Sequence, residues 1–94
     1  MIYKGDVGAI IRLTSSFDLS GATMARIYYT KPSGETGYWT ATVYGTTAIQ
    51  YTTTSEDDLD EAGQWNFQGY AALRDWTGRS SIVTDTIGKI IEAA

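Results

Sequence analysis

Ninety-four residues make one domain, spanning 1–94, and a chain of this size buries roughly 60–68% of its unfolded surface, enough for one thin core. With no cysteine and no histidine, it has no route to disulfides, thiolate catalysis, zinc ribbons or an imidazole general base. A net charge of −4 with dispersed bases is no footprint for nucleic acid, which would want a strongly basic face. The opening MIYKGDVGAIIRL has a short apolar run broken by Arg12 and no small-residue cleavage site after it, so it does not read as a signal peptide. No apolar run approaches the length of a membrane span, and a soluble protein made in a cytoplasm is expected.

Strand signals then recur about every ten residues. Val7 to Leu13 is the first, with Val7, Ala9, Ile11 and Leu13 on one face. A loop over Ser15–Gly21 follows, from which Phe17 and Leu19 are expected to tuck under the sheet. Ala22 to Thr30 is rich in β-branched and aromatic residues. In Lys31-Pro32-Ser33-Gly34-Glu35, Pro32 presets φ at the first corner and Gly34 supplies the left-handed residue of a hairpin. Its partner strand is Thr36 to Tyr44, where Trp39, Ala41 and Val43 alternate against Tyr38, Thr40, Thr42 and Tyr44. Gly45-Thr46-Thr47 turns the chain into Ala48–Thr54, with Ile49, Tyr51 and Thr53 in phase.

Residues 56–61 read EDDLDE, five acids in six positions. They form either a solvated loop that also discourages edge pairing or a hard-cation site offering Asp57, Asp58, Asp60 and Glu61 to Ca²⁺, without the spacing or mid-loop glycine of an EF-hand. Leu59 is placed in a single helical turn. Glu61-Ala62-Gly63-Gln64-Trp65 then opens a strand to Arg74 with Trp65, Phe67, Gly69, Ala71 and Leu73 on one side. In immunoglobulin-like sandwiches, an acid-x-Gly-x-aromatic run of this form leads into the penultimate strand, and its aromatic braces the corner. Here Trp stands where Tyr is usual, and Phe67 where a cysteine would be. Asp75 to Arg79 reads as a second hairpin with Gly78 left-handed. Ser81 to Glu92 closes the fold, with a bulge expected near Gly88. No stretch keeps a 3.6-residue apolar period, and six or seven short antiparallel strands describe an all-β sandwich.

The candidates for chemistry are few. Ser15, Ser16, Ser80 and Ser81 lack a histidine partner. The acids share one hydrophilic loop, where a raised-pKa carboxyl has no apolar pocket to form in. No glycine loop cradles phosphate, and no enzymatic activity and no cofactor are expected. The chain has seven Tyr, three Trp and two Phe. Trp39 and Trp65 are in phase with the core. Trp76 either caps the end of the sandwich or makes contacts. Tyr28, Tyr38, Tyr44 and Tyr70 fall on outward faces, where they are either plain cross-strand pairs or interface residues.

Four strings lie in a telling order: Lys4-Gly5-Asp6; Asp18-Leu19-Ser20-Gly21-Ala22-Thr23; Tyr29-Thr30-Lys31-Pro32-Ser33-Gly34; and Leu59-Asp60-Glu61-Ala62-Gly63-Gln64-Trp65. Together they resemble small virion proteins of tailed bacteriophages, in particular the immunoglobulin-like N-terminal domain of baseplate upper proteins, over nearly the whole chain. The resemblance implies an immunoglobulin-like sandwich that docks to other virion proteins without catalysis, forms a homo-oligomer, and is found in the virion after assembly in the host cytoplasm. It involves neither nucleic acid nor membrane. Baseplate upper proteins carry further domains after this one, whereas this sequence ends at Ala94, so its place in the particle is open. Trp76, Tyr28, Tyr38, Tyr44 and Tyr70 are the expected interface. The alternative is a carbohydrate-binding module for host adhesion, with Trp76 and the tyrosines as a stacking platform.

Overall fold

The period of two that runs through the chain becomes strands wherever β-branched and aromatic residues carry it. The computed structural model describes residues 2–15, 18–73, 76–80 and 82–90. Among these lie eight strands and no helix: β1 (Ile10–Thr14), β2 (Met24–Thr30), β3 (Thr36–Thr40), β4 (Thr42–Tyr44), β5 (Ala48–Thr52), β6 (Gly63–Ala72), β7 (Thr77–Arg79) and β8 (Val83–Ile87). One sheet runs β1-β5-β4. The other runs β3-β2-β6, with β7 and β8 sharing the far edge of β6. Every strand pairing is antiparallel. With β1, β5 and β4 as strands B, E and D, and β3, β2, β6 and β8 as C′, C, F and G, this is the strand order of an immunoglobulin-type β-sandwich.

Strand number exceeds the expected six or seven for two reasons. The predicted strand Thr36–Tyr44 divides at Ala41: β3 pairs with β2, and β4 crosses to pair with β5. Ala41 keeps one bond to the first sheet, its N–H donating to the Ala25 carbonyl at 2.9 Å. The second reason is β7: Thr77–Arg79, expected within a hairpin turn, instead forms a short strand on β6, and the closing segment supplies β8. Other expectations are corrected. Val7 is 58% exposed, because it lies in a bend ahead of β1, which begins only at Ile10. Leu59 is fully buried, as its apolarity demands, and lies in a hydrogen-bonded turn (Asp58 N–H to Ser55 O, 3.1 Å) that does not extend into a helix. Gly34 does adopt the left-handed conformation, with φ 93°, whereas Gly78 lies extended in β7. The pairing of β8 with β6 ends at Ile87, and Gly88 passes instead to the N-terminal segment in a parallel bridge with Tyr3. Phe17, Ser16, Arg74, Asp75, Ser81 and residues 91–94 lie outside the described residues.

The core is a slab of rings. Trp39 stacks on Tyr51 with centroids 4.8 Å apart and on Trp65 at 6.3 Å, and Trp65 stacks on Phe67 at 6.1 Å. Tyr29 closes on Trp39 at 4.7 Å. Trp39 comes from β3, Tyr51 from β5 and Trp65 from β6, so the rings tie both sheets together. Burying one such indole contributes on the order of 4–6 kcal/mol at 25 cal/mol per Å² before entropy is counted. Ile27, Leu59 and Ile87 fill the remaining space.

The buried polar groups are satisfied. Thr53 is buried, and its hydroxyl accepts from Ala9 N–H at 3.0 Å while donating to Asp6 O at 2.9 Å. No buried side-chain N or O among the described residues lacks a partner.

Lys31 is also buried, with its ammonium 2.9 Å from Asp60 and 3.3 Å from Glu35. The hydrogen bond to Asp60 raises the Lys31 pKa above its ordinary 10.5. Burial raises the Tyr51 phenol above 10.0. Both folded values therefore lie above the unfolded ones. The stabilisation is complete below the unfolded values and is lost as pH climbs through the raised ones. Urea midpoints taken between about pH 9 and pH 11 are expected to fall for the wild type. They should fall less steeply for a Lys31→Met/Tyr51→Phe variant, which removes both groups.

Candidate docking face

Strand alternation fixes which side chains look outward from the β3-β2-β6 sheet. They are Tyr38 on β3, Arg26 and Tyr28 on β2, Gln68 and Tyr70 on β6, and Arg79 on β7. The register sets Tyr28 opposite both Tyr38 and Gln68, and Tyr70 opposite both Arg26 and Arg79.

The rings and guanidiniums interleave. Tyr28 lies 5.6 Å from Tyr38 and 6.1 Å, edge-on, from Tyr70. The Arg26 Cζ sits 4.4 Å above the Tyr38 ring, and Arg26 Nη1 donates to Tyr28 Oη at 3.3 Å. The Arg79 Cζ sits 4.4 Å from the Tyr28 ring centre and 5.3 Å from that of Tyr70. Cations over aromatic faces are attracted by the ring quadrupole, each by about 0.5–1 kcal/mol at exposed sites. The hydrogen bond from Arg26 is the main influence on the Tyr28 phenol and draws its pKa below 10.0; Arg79 pulls in the same direction.

Polar neighbours are held as well. Gln68 Nε2 donates to Ser80 O at 3.0 Å, and Thr84 donates to Asn66 Oδ1 at 2.7 Å. Tyr28, Tyr38, Asn66, Gln68, Arg79 and Ile82 line an open groove of about 380 Å³. Tyr38 is 50% exposed and Ile82 65%. Among the described strands, every outward position of this sheet is uncharged or basic, so the face carries two cations and no carboxylate.

Comparison with protein-family models, curated proteins and solved structures finds nothing that matches this chain. The residues themselves carry the functional reading.

Of the five residues singled out by sequence, the structure brings together Tyr28, Tyr38 and Tyr70. Tyr44 is on the outer face of the other sheet, with the Arg12 guanidinium 3.8 Å above its ring and Arg12 anchored to Gln50 Oε1 at 2.9 Å. Trp76 is elsewhere again. Its indole lies over the inward side of Gly78, in the space a Cβ would fill, and borders a cavity of about 350 Å³ between the sheets with Leu13, Leu19, Ile49, Ala71 and Val83. It is 42% exposed and caps the end of the sandwich. A platform combining Trp76 with the tyrosines is therefore not formed.

Sequence reasoning missed both arginines. Arg26 shares a strand face with Tyr28 two residues on, which the alternation shows. Arg79 joins them only through the β6–β7 register.

The acidic loop is braced, not simply solvated. Asp58 accepts from Tyr51 Oη at 2.8 Å and from Thr54 N–H at 2.9 Å. Asp60 holds Lys31, and Glu61 accepts from Ser33 Oγ at 2.8 Å and Ser33 N–H at 3.1 Å. The carboxylates thus diverge to separate donors, and no three acidic groups among the described residues converge on a metal position.

Proposed function

We propose that this chain is a non-catalytic assembly module of a phage virion, working by docking its Tyr28/Tyr38/Tyr70 face, with Arg26 and Arg79, onto a neighbouring virion subunit. The observation that carries the reading is the interleaved Tyr/Arg ladder on a rigid sheet. Tyrosine and arginine dominate interface hot spots, because they bury large areas at low entropic cost. Stacking already holds these side chains in place, which lowers the ordering cost of binding. Assignment to a virion rests on the four strings that resemble baseplate upper proteins. Sugar stacking is left with tyrosines whose faces two guanidiniums already cover.

The test is gradient purification of virions from a phage encoding this chain. The chain is expected in the particles at a fixed copy number. Arg26→Ala/Arg79→Ala should reduce incorporation by roughly 30-fold or more, the equivalent of one hot spot of about 2 kcal/mol, while Tyr44→Ala should be incorporated normally. Infectious wild-type particles lacking the chain would refute the assignment.

A further inference from the structure

Two surfaces of this molecule carry opposite charge that is not used within the chain. The Tyr/Arg face has two cations and no acid. Neither Arg26 nor Arg79 has a carboxylate partner among the described residues; the groups that act on Arg26 are tyrosines. The acidic turn is the complement. Asp58, Asp60 and Glu61 are spent on internal donors, Leu59 plugs the turn into the core, and Asp57 N–H is fixed to Ser55 Oγ at 3.2 Å. Glu56 and Asp57 are left exposed at the apex of that braced turn, and their carboxylates have no partner among the described residues.

We propose that the Tyr/Arg face receives the acidic turn, Glu56 and Asp57, of a second copy of this chain. This rests on reading that face as the docking surface. Arginine binds carboxylate through paired charge-assisted hydrogen bonds, and both sides are held in place before contact. Packing the face against its own twin would bring four guanidiniums together with no carboxylate between them, so a two-fold dimer is disfavoured. Turn-on-face contact is heterologous: each copy offers one face and one turn, and the contact propagates into a ring or a filament.

The experiment is sedimentation of the full chain across concentration, at low and high salt. The wild type is expected to self-associate, and more weakly as salt rises. Arg26→Glu/Arg79→Glu and Glu56→Lys/Asp57→Lys should each weaken association by roughly ten-fold or more. In the first variant the face and turn are both acidic, and in the second both are basic. Mixing the two should restore assembly with strict alternation, and so should combining all four substitutions in one chain. Glu56, Asp57 and Arg79 are exposed and Arg26 is half-buried on the outer sheet face, where folding is tolerant; circular dichroism checks this, and Arg26→Gln/Arg79→Gln replaces the charge-reversed face if that variant unfolds. A monomeric wild type at the highest soluble concentration overturns the inference, as does a mixture that stays monomeric. Were Arg26→Ala/Arg79→Ala also lost from virions in that case, the docking function would stand with a different partner. Arginine-dependent binding of a sulfated glycan by a monomeric wild type would overturn the inference in favour of sugar recognition.

Discussion

Trp65→Ala is expected to destabilise the protein by about 3–5 kcal/mol, a large part of the roughly 5–14 kcal/mol available to a domain of this length. Trp65 is fully buried, and its indole is enclosed by Trp39, Phe67 and Tyr29, the last at 5.5 Å. Removing it opens a hole between two sheets whose strands are held by long-range pairing and close poorly around a void. The polar edge of the ring matters separately. Trp65 Nε1 donates to the Glu61 carbonyl at 2.9 Å, closing the corner that leads into β6. Trp65→Phe keeps most of the apolar volume and leaves that carbonyl without its donor, so about 1–3 kcal/mol is expected. Urea denaturation of both variants reads the two contributions. A Trp65→Phe protein as stable as the wild type would show that the corner bond does not brace the fold.

Gly63→Ala is expected to cost about 2–4 kcal/mol, combining backbone strain with overpacking. Gly63 has φ 127°, a conformation that L side chains rarely adopt, and a Cβ there would sit 2.9 Å from Cγ of Pro32. Two turns press together at this point: Lys31–Glu35 and the end of the acidic loop. They are fastened by Lys31 with Asp60 and by Ser33 with Glu61. Any side chain on Gly63 would push them apart. Gly34→Ala is the comparison. Its φ is also positive, but nothing lies within 4 Å, so only the conformational cost of about 1 kcal/mol is expected. For a domain of this size each kcal/mol lowers the melting temperature by about 4–8 °C. Equal shifts for the two variants would remove the contact with Pro32 from the explanation.

The glycine between Glu61 and Trp65 thus has two reasons to be a glycine, and only one of them can be read from the chain. The same division runs through the whole molecule. Alternation gives the inward and outward faces of β1 and of β3 to β6, and the outward place of Tyr28 on β2, because burial of one face dictates the period of two. It did not reveal the change of sheet at Ala41. Trp39, Ala41 and Val43 all remain on the core side across the crossing, so the pattern is the same whichever sheet pairs with the strand. The neighbours of Gly78 suggest a turn, yet its lack of a side chain serves Trp76 packing over it. Asp60 reaches Lys31, 29 positions away, and no local rule foretells that. Of the Tyr/Arg ladder, Arg26, Tyr28 and Tyr38 follow from one hairpin and its register. Tyr70 and Arg79 require the β6 pairings.

The parallel bridge between Tyr3 and Gly88 has a mechanical consequence. Lys4 N–H donates to the Gly88 carbonyl at 3.0 Å, and Gly88 N–H donates to Ile2 O at 2.9 Å. The two segments run in the same direction. Tension applied ahead of Ile2 and beyond Ile90 therefore drags them past one another lengthwise. Both bonds then carry the strain at once, where an antiparallel hairpin pulled from its open end would release its bonds one by one. A pull along the chain meets this small clasp before it reaches the ring-filled interior, so the first yielding event should be its release and not the parting of the two sheets.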